Sequence, residues 1–271
     1  MVREQAQDSG IAQTARRKWL AACMAATLLL SLILPRPAHA DWTHDVAGIA
    51  ATASQGNYVA AEQLADQSLQ RGPGGLLFGT TGTLIIHQWR ARLRLLGGDT
   101  KGAIADAEVI IQSDSSYLPP DVGYNLRAMS KALQGDTVGS EADFMTALKL
   151  AESGRMSRMR IYGSKGERAI ARILLNDFAG AIQDLDEAIS ADHDTLLLSA
   201  YVDAKKESWT HLRQSIAPME LGDFGQAAAS VQAAINTLLK AGTETTGSDF
   251  LSLQMLLMRI ETFMAEQKAM R

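Results

Sequence analysis

The chain has 271 residues, of which 46% are hydrophobic and 6% aromatic, with a formal net charge of −4 and one cysteine. This length allows one large domain or two small ones, and a core rich in Ala and Leu favours helices packed on helices. The acidic balance argues against nucleic-acid binding, which usually needs clustered Lys and Arg. A single cysteine excludes an intrachain disulfide and a thiolate metal cage.

The first forty residues have the order of a secretory signal. The basic cluster Arg-Arg-Lys at 16–18 precedes fifteen largely apolar, uncharged residues at 20–34, and the small-residue pattern Ala-His-Ala follows at 38–40. Such a segment is removed during export, so we expect cleavage after Ala40. An uncleaved anchor is the alternative, but fifteen residues are fewer than the roughly 20 that span a bilayer.

Two details of this segment leave the export route open. Residues 16–20 resemble a twin-arginine motif, whereas the very apolar stretch 28–34 favours the general secretory route. Cys23 ends a Leu-Ala-Ala-Cys sequence that resembles a lipobox, but it stands at the beginning of the apolar stretch, so we interpret it as an ordinary apolar residue. Removing residues 1–40 takes away five basic and two acidic residues, which leaves 21 basic and 28 acidic residues and a net charge of −7.

A short pattern recurs five times in the remaining chain. It reads Gly-Asn-Tyr at 56–58, Gly-Asp-Thr at 98–100 and at 135–137, Asn-Asp-Phe at 176–178, and Gly-Asp-Phe at 222–224. Gly takes the left-handed conformation that ends a helix, and Asp or Asn caps the next helix. Apolar residues before and after each pattern follow helical spacing. The sequence therefore predicts five helical hairpins joined by tight turns.

Two of the second helices carry a more specific pattern. Ala stands three residues after the aromatic residue of the turn, and again seven residues later, at Phe178, Ala181 and Ala188 and at Phe224, Ala227 and Ala234. This pattern resembles the second helix of the tetratricopeptide repeat, and the small residues Ala91, Ala128 and Ala169 match its first helix. The resemblance covers about residues 41–240. It implies an all-α solenoid of about five helical hairpins that forms a single domain over residues 41–271 after the signal peptide, residues 1–40.

The repeats differ from that family in several places. The second residues of the five patterns are 42, 37, 41 and 46 residues apart, longer than the family period of about 34. Ser140 stands where the family has Ala. Pro218 is expected to kink or shorten the first helix of the fifth hairpin. The apolar residues of 247–270 predict a C-terminal capping helix.

The sequence carries none of the common catalytic motifs. The sequence contains no His-Glu-x-x-His, Gly-x-Ser-x-Gly, Ser-x-x-Lys or Walker-type motif. Residues 75–83 resemble a phosphate cradle without its lysine, and we interpret them as a flexible linker. The four histidines after residue 40 lie far apart, and Asp192-His193-Asp194 is interpreted as a polar loop rather than a metal site. We therefore predict no catalytic residue, no cofactor and no metal ion.

The resemblance implies a partner-binding groove. In such arrays the first helices line a concave surface that binds peptides or partner helices. Carried over by position, the groove residues are Gln88, Trp89, Arg92, Asn125, Leu126, Met129, Glu167, Ile170, Trp209, Leu212 and Arg213. Trp and Arg are frequent in binding hot spots, but Trp89 and Trp209 could instead fill gaps between hairpins. A clamp for a C-terminal carboxylate is disfavoured, because Trp89 and Leu126 stand where it requires Asn.

A cluster of basic residues lies within 155–172. It consists of Arg155, Arg158, Arg160, Lys165, Arg168 and Arg172. Such a cluster could dock an acidic partner or a phospholipid surface. We favour the alternative, a solvated face whose charge is compensated by the acidic helix around residues 183–187.

Together these features predict an exported scaffold or adaptor protein, periplasmic or secreted, that is not an enzyme. Its expected partner is a protein or peptide of the bacterial cell envelope, bound in the concave groove. We expect no nucleic-acid partner, and membrane contact only if the signal helix is retained. The alternatives are an enzyme or non-catalytic subunit with a small-molecule site in the groove, and a membrane-anchored assembly factor.

Overall fold

The computed structural model describes residues 42–72, 79–113, 115, 117–153, 157–190, 199–242 and 247–270. This part of the chain folds into eleven α-helices and contains no strand. They are α1 (Trp42–Ser54), α2 (Tyr58–Arg71), α3 (Gly79–Leu96), α4 (Thr100–Ile111), α5 (Pro120–Leu133), α6 (Thr137–Glu152), α7 (Ser157–Leu174), α8 (Phe178–Ser190), α9 (Ser199–Glu220), α10 (Phe224–Ala241) and α11 (Asp249–Ala269). The predicted signal peptide lies outside the described residues. None of the described helices has the length and apolar character needed to cross a membrane.

Five tight turns join the helices of each pair, α1–α2 through α9–α10, where the repeated pattern predicts them. Four turns contain a glycine in the left-handed region, with φ between 76° and 80°, and the fourth contains Asn176 with φ 61°. The following backbone N–H then bonds a carbonyl five residues earlier, as in Asp99 to Arg94 at 2.9 Å. This arrangement satisfies carbonyls that the end of a helix would leave unpaired.

Aspartate caps the second helix in four of the five hairpins. The side chains of Asp99, Asp136, Asp177 and Asp223 each accept a hydrogen bond from the backbone N–H three residues later, at 2.8–3.0 Å. Asn57, in the first hairpin, makes no such bond. The predicted capping role is thus confirmed for the four aspartates, and the structure shows why the turns repeat in sequence.

Small residues lie where the two helices of a hairpin meet. The fourth residue after the capping position is buried in every hairpin, and it is Ala61, Ala103, Ser140, Ala181 or Ala227. On the facing first helices, the buried small residues include Ala91, Ala128 and Ala169. A small side chain at these positions lets the helix axes approach closely, and Ser140 replaces alanine at little change in volume.

The hairpins stack through their first helices. Each of α1, α3, α5 and α7 contacts the first helix of the next hairpin, and each second helix packs on the first helix that follows it. Within the described residues, no two second helices make a comparable contact. The first helices therefore lie on the inner side of a helical-hairpin solenoid, and the second helices lie on its outer side.

The last helix, α11, packs on α10, as predicted for a capping helix. It also contacts α3 and α7. Its buried residues are Phe250, Leu251, Ser252, Leu253, Met255, Leu256, Leu257 and Ile260. These contacts bring the C-terminal helix across the inner side of the solenoid. The inner surface that the first helices would otherwise expose is therefore partly filled by the chain itself.

Two sequence-based expectations are corrected in part. Pro218 does not shorten the first helix of the fifth hairpin, because α9 runs for 22 residues and ends at Glu220. The proline lies in the last turn, where only one hydrogen bond from a backbone N–H is lost. In the expected linker 75–83, residues 79–83 form the beginning of α3. Gly82 is buried there against the Trp42 ring, at a contact too close for any side chain.

Candidate functional site

The predicted groove residues on α3, α5 and α9 are largely buried. Trp89, Arg92, Met129 and Trp209 are 2%, 5%, 1% and 5% exposed. Each lies on a first helix, as predicted. Trp89, Arg92 and Trp209 also contact side chains of a neighbouring helix on the inner side.

Arg92 is the centre of a buried ion cluster that joins four helices. Its Nη2 lies 2.6 Å from Oε1 of Glu167 and 3.2 Å from Oδ1 of Asp249. The other oxygen of Asp249 lies 2.7 Å from Nζ of Lys205. The structure therefore brings together Arg92 and Glu167, both predicted groove residues. It adds Lys205 and Asp249, which the sequence analysis missed.

Two serines at the beginning of α11 complete this cluster. Arg92 donates from Nη1 to Ser248 Oγ at 2.7 Å and from Nε to Ser252 Oγ at 3.2 Å. Ser252 in turn donates to Glu167 at 3.3 Å. Arg92 is 156 and 160 residues away from these serines in the sequence. No local sequence pattern could have indicated such contacts.

The cluster keeps Asp249 and Lys205 charged. Burial alone would raise the pKa of Asp249, but the charges of Lys205 and Arg92 lower it overall. Burial alone would lower the pKa of Lys205, yet the charge of Asp249 and the hydrogen bonds to it and to Tyr201 raise it. Opposite charges at contact distance favour the ionised forms of both partners. This arrangement anchors α11 through a charged carboxylate and a charged ammonium.

The two predicted tryptophans fill space between helices. Trp89 meets Phe250 of α11 edge to face, with ring centroids 6.3 Å apart. Trp209 packs against Tyr162 with centroids 4.1 Å apart, and the Tyr162 hydroxyl donates to the Val202 carbonyl at 3.1 Å. Trp209 thus fills a gap between hairpins, as the alternative expects, whereas Trp89 packs against the C-terminal helix.

Three more predicted groove residues, Leu126, Ile170 and Leu212, are buried at 3%, 3% and 0% exposure. Gln88, Asn125 and Arg213 are more accessible. Gln88 is partly buried on α3. Asn125 donates to Ser164 at 2.9 Å, and its Oδ1 is the one buried side-chain oxygen or nitrogen without a hydrogen-bond partner in the described part of the chain. Arg213 is 42% exposed and pairs with Asp186 of α8 at 2.5 Å, so it lies apart from the Arg92 cluster.

A second ionic arrangement repeats in the three central hairpins and was missed by the sequence analysis. In each hairpin, two basic residues of the first helix hold one buried aspartate of the second helix. The groups are Arg90 and Arg94 with Asp106, Arg127 and Lys131 with Asp143, and Arg168 and Arg172 with Asp184, with shortest N–O distances of 2.5–2.9 Å. The three aspartates are 1%, 5% and 1% exposed.

The sequence does contain a signal for these ionic groups. The two basic residues stand nine and five positions before the capping aspartate, and the buried aspartate stands seven positions after it. The second basic residue also donates to the carbonyl of the glycine three residues after the capping aspartate, as Arg172 does to Gly180 at 3.1 Å. Because such a group cross-links the two helices of a hairpin, its role is structural.

The basic cluster at 155–172 is largely neutralised by ion pairs. Arg160 lies 2.5 Å from Asp121, Lys165 pairs with Glu187, and both Arg168 and Arg172 contact Asp184. The expected compensation by the helix around residues 183–187 is found for Lys165, Arg168 and Arg172, whereas Arg160 pairs with Asp121 of α5. The four basic side chains are only 12–22% exposed, so the cluster is not the solvated face that was expected. The side chains of Arg155 and Arg158 lie outside the described residues.

Among the side chains that the structure describes, no three from His, Cys, Asp or Glu come close enough to hold a metal ion. His87 is 2.6 Å from Asp106 and belongs to the ionic group of the second hairpin. The Asp192-His193-Asp194 sequence lies outside the described residues.

Two cavities lie beside the C-terminal half of α11. The first, of about 480 Å³, lies where α3, α5 and α7 end, and we call it the α5 cavity. The second, of about 360 Å³, lies beside the end of α9 and includes Phe178, Phe224 and Phe263, and we call it the α9 cavity. Both are lined in part by Leu174, Arg259 and Thr262. These cavities are the described concave surfaces that a ligand or partner side chain could enter.

Comparison with known proteins gives no match: no family model, no curated protein and no solved structure is similar to this chain.

Proposed function

We propose that this protein is an exported, non-catalytic scaffold or adaptor of the bacterial cell envelope that binds another protein. Its support comes from the signal-like residues 1–40, the tetratricopeptide-like pattern and the helical-hairpin architecture. The polar groups on the inner side form ion pairs with one another. That chemistry suits a binding module better than an acid–base catalyst.

A partner would bind the inner side with α11 in place. Displacing α11 would expose eight buried residues of that helix, and each large apolar side chain contributes about 1.5–3 kcal/mol when buried. It would also leave Arg92 and Lys205 without Asp249. We therefore expect the partner to bind the surface that α11 presents, and we do not expect it to displace the helix.

The observation that favours a protein partner is the exposed apolar side chains at and beside the α9 cavity. Phe263 lines the cavity and is 43% exposed, and Leu221, which follows the lining residue Glu220, is 85% exposed. Exposed apolar surface commonly marks an interaction site. Glu220 and Glu266 also line this cavity, so the expected partner segment is apolar with a basic residue beside it.

The test uses the chain from residue 41 onwards and three aspartate substitutions. A partner captured from the periplasm is purified and titrated against wild type, Leu221→Asp, Phe263→Asp and Val138→Asp by calorimetry. Val138 is 82% exposed and distant in sequence from α11, so it matches Leu221 in exposure and chemistry. We expect the first two substitutions to weaken binding by about tenfold or more, as interface anchors do, and Val138→Asp to have little effect.

The proposal fails if the purified partner binds all four proteins equally. It also fails if gentle capture recovers no protein while a small molecule binds tightly. The second outcome would favour the alternative of a small-molecule protein, for which the cavities beside α11 are the available sites.

A further inference from the structure

The α5 cavity has the size of a small-ligand site. Its volume of about 480 Å³ lies within the range of roughly 300–1,000 Å³ that ligand pockets occupy. Eight of the residues that line it have apolar side chains: Leu95, Leu96, Ala132, Leu133, Leu174, Leu175, Met255 and Met258. They come from three successive hairpins and from α11, so the cavity exists only in the folded array.

One cation stands in this otherwise uncharged wall. Arg259 is the single charged residue among those that line the α5 cavity. It forms no ion pair with any residue that the structure describes, whereas every other arginine with a described side chain pairs with Asp or Glu. An unpaired guanidinium beside an apolar cavity is complementary to a carboxylate that carries an apolar chain.

We propose that the α5 cavity binds a free fatty acid of medium chain length, with its carboxylate on Arg259 and its alkyl chain among the leucines. The inference is independent of the proposed protein partner. Guanidinium and carboxylate match in shape and can form two parallel hydrogen bonds. Each buried methylene should strengthen binding about fourfold, so affinity should rise with chain length until the cavity is filled.

The neighbouring α9 cavity is less suitable for this ligand. Its wall contains Glu220 and Glu266 in addition to Arg259. Two carboxylates beside one guanidinium give that wall a net negative charge, which disfavours an anionic ligand. The absence of acidic residues from the wall of the α5 cavity is what assigns the ligand to that side of α11.

Decanoate is the probe, titrated by calorimetry into the chain from residue 41 onwards and kept below its micellar concentration. Decanol tests the need for the carboxylate, and octanoate tests the need for chain length. Arg259→Gln removes the cation, Arg259→Lys retains it, and Lys268→Gln is the matched control. Lys268 is exposed on the same helix and lies outside both cavities. Met258→Trp narrows the cavity at a side chain that is 38% exposed.

We expect decanoate to bind wild type and Lys268→Gln equally. Arg259→Gln should weaken binding about tenfold or more, because a hydrogen bond to a charged group is lost, and Arg259→Lys should restore part of it. Met258→Trp should weaken binding while the melting temperature stays near that of wild type. The proposal is overturned if decanoate does not bind, if decanol binds equally well, or if Lys268→Gln weakens binding as much as Arg259→Gln.

Discussion

The ammonium of Lys205 lies 2.7 Å from the carboxylate of Asp249, and the two side chains are 6% and 15% exposed. Lys205 belongs to α9, and Asp249 is the first residue of α11. Arg92 of α3 holds the other oxygen of the same carboxylate at 3.2 Å. One carboxylate thus ties the C-terminal helix to the second and fifth hairpins, and we expect α11 to unfold together with the array.

Substituting Asp249 by Asn should destabilise the protein strongly. The change leaves Lys205 and Arg92 buried with one carboxylate fewer, and breaking a buried pair on one side costs about 3–5 kcal/mol. Urea denaturation followed by circular dichroism measures this loss. Asp186→Asn is the control, because Asp186 and Arg213 form an exposed pair that should contribute at most about 1 kcal/mol. Equal losses in the two variants would show that the buried cluster does not anchor α11.

The stabilising effect of Asp249 should disappear in acid. Its folded-state pKa lies below the ordinary value of 3.8, so the folded protein binds this proton less readily than the unfolded chain. The contribution is therefore complete above about pH 5 and decreases as the pH falls through the folded-state pKa. We expect the difference in free energy of unfolding between wild type and Asp249→Asn to shrink with acidification. A difference that stays constant down to the lowest pH at which both proteins fold would contradict this assignment.

Two glycines of α7 should respond oppositely to alanine. A Cβ at Gly166 would overlap the Trp209 ring, whereas a Cβ at Gly163 would meet no atom within 4 Å. Gly166→Ala should therefore cost about 1–3 kcal/mol through overpacking. Gly163→Ala should stabilise by up to about 1 kcal/mol, because alanine is the better helix former. Thermal unfolding of both variants tests the contact, and a gain at Gly166 would mean that Trp209 does not pack there.

The sequence predicts the hairpins well because each is encoded locally. The turn at 98–100, for example, places a glycine with positive φ directly before a capping aspartate, and neither role requires a distant residue. The same locality explains why the ionic groups could have been found. Arg90, Arg94 and Asp106 stand at fixed distances from the turn, and the same spacing occurs in two further hairpins.

The inner side could not be predicted in the same way. The expectation of an open groove treated residues 247–270 as a cap on the last hairpin, whereas their helix also contacts α3 and α7. Which helices α11 reaches depends on how five hairpin rotations accumulate, and no short segment determines that sum. The sequence therefore predicts the side of the solenoid on which Trp89 and Arg92 lie, but it does not predict that α11 covers them.

The capping aspartates allow a prediction with a control inside the same protein. Asp136 accepts a hydrogen bond from the Gly139 N–H at 2.8 Å, whereas Asn57, at the same position of the first hairpin, makes no side-chain cap. Asp136→Ala should cost about 1 kcal/mol, since it leaves a backbone donor of α6 without its partner. Asn57→Ala should change stability much less, although both residues are exposed and precede a second helix. Chemical denaturation of the two variants measures the difference. If Asn57→Ala lost as much stability as Asp136→Ala, the side-chain cap would not be what stabilises these turns, and their backbone conformation would be.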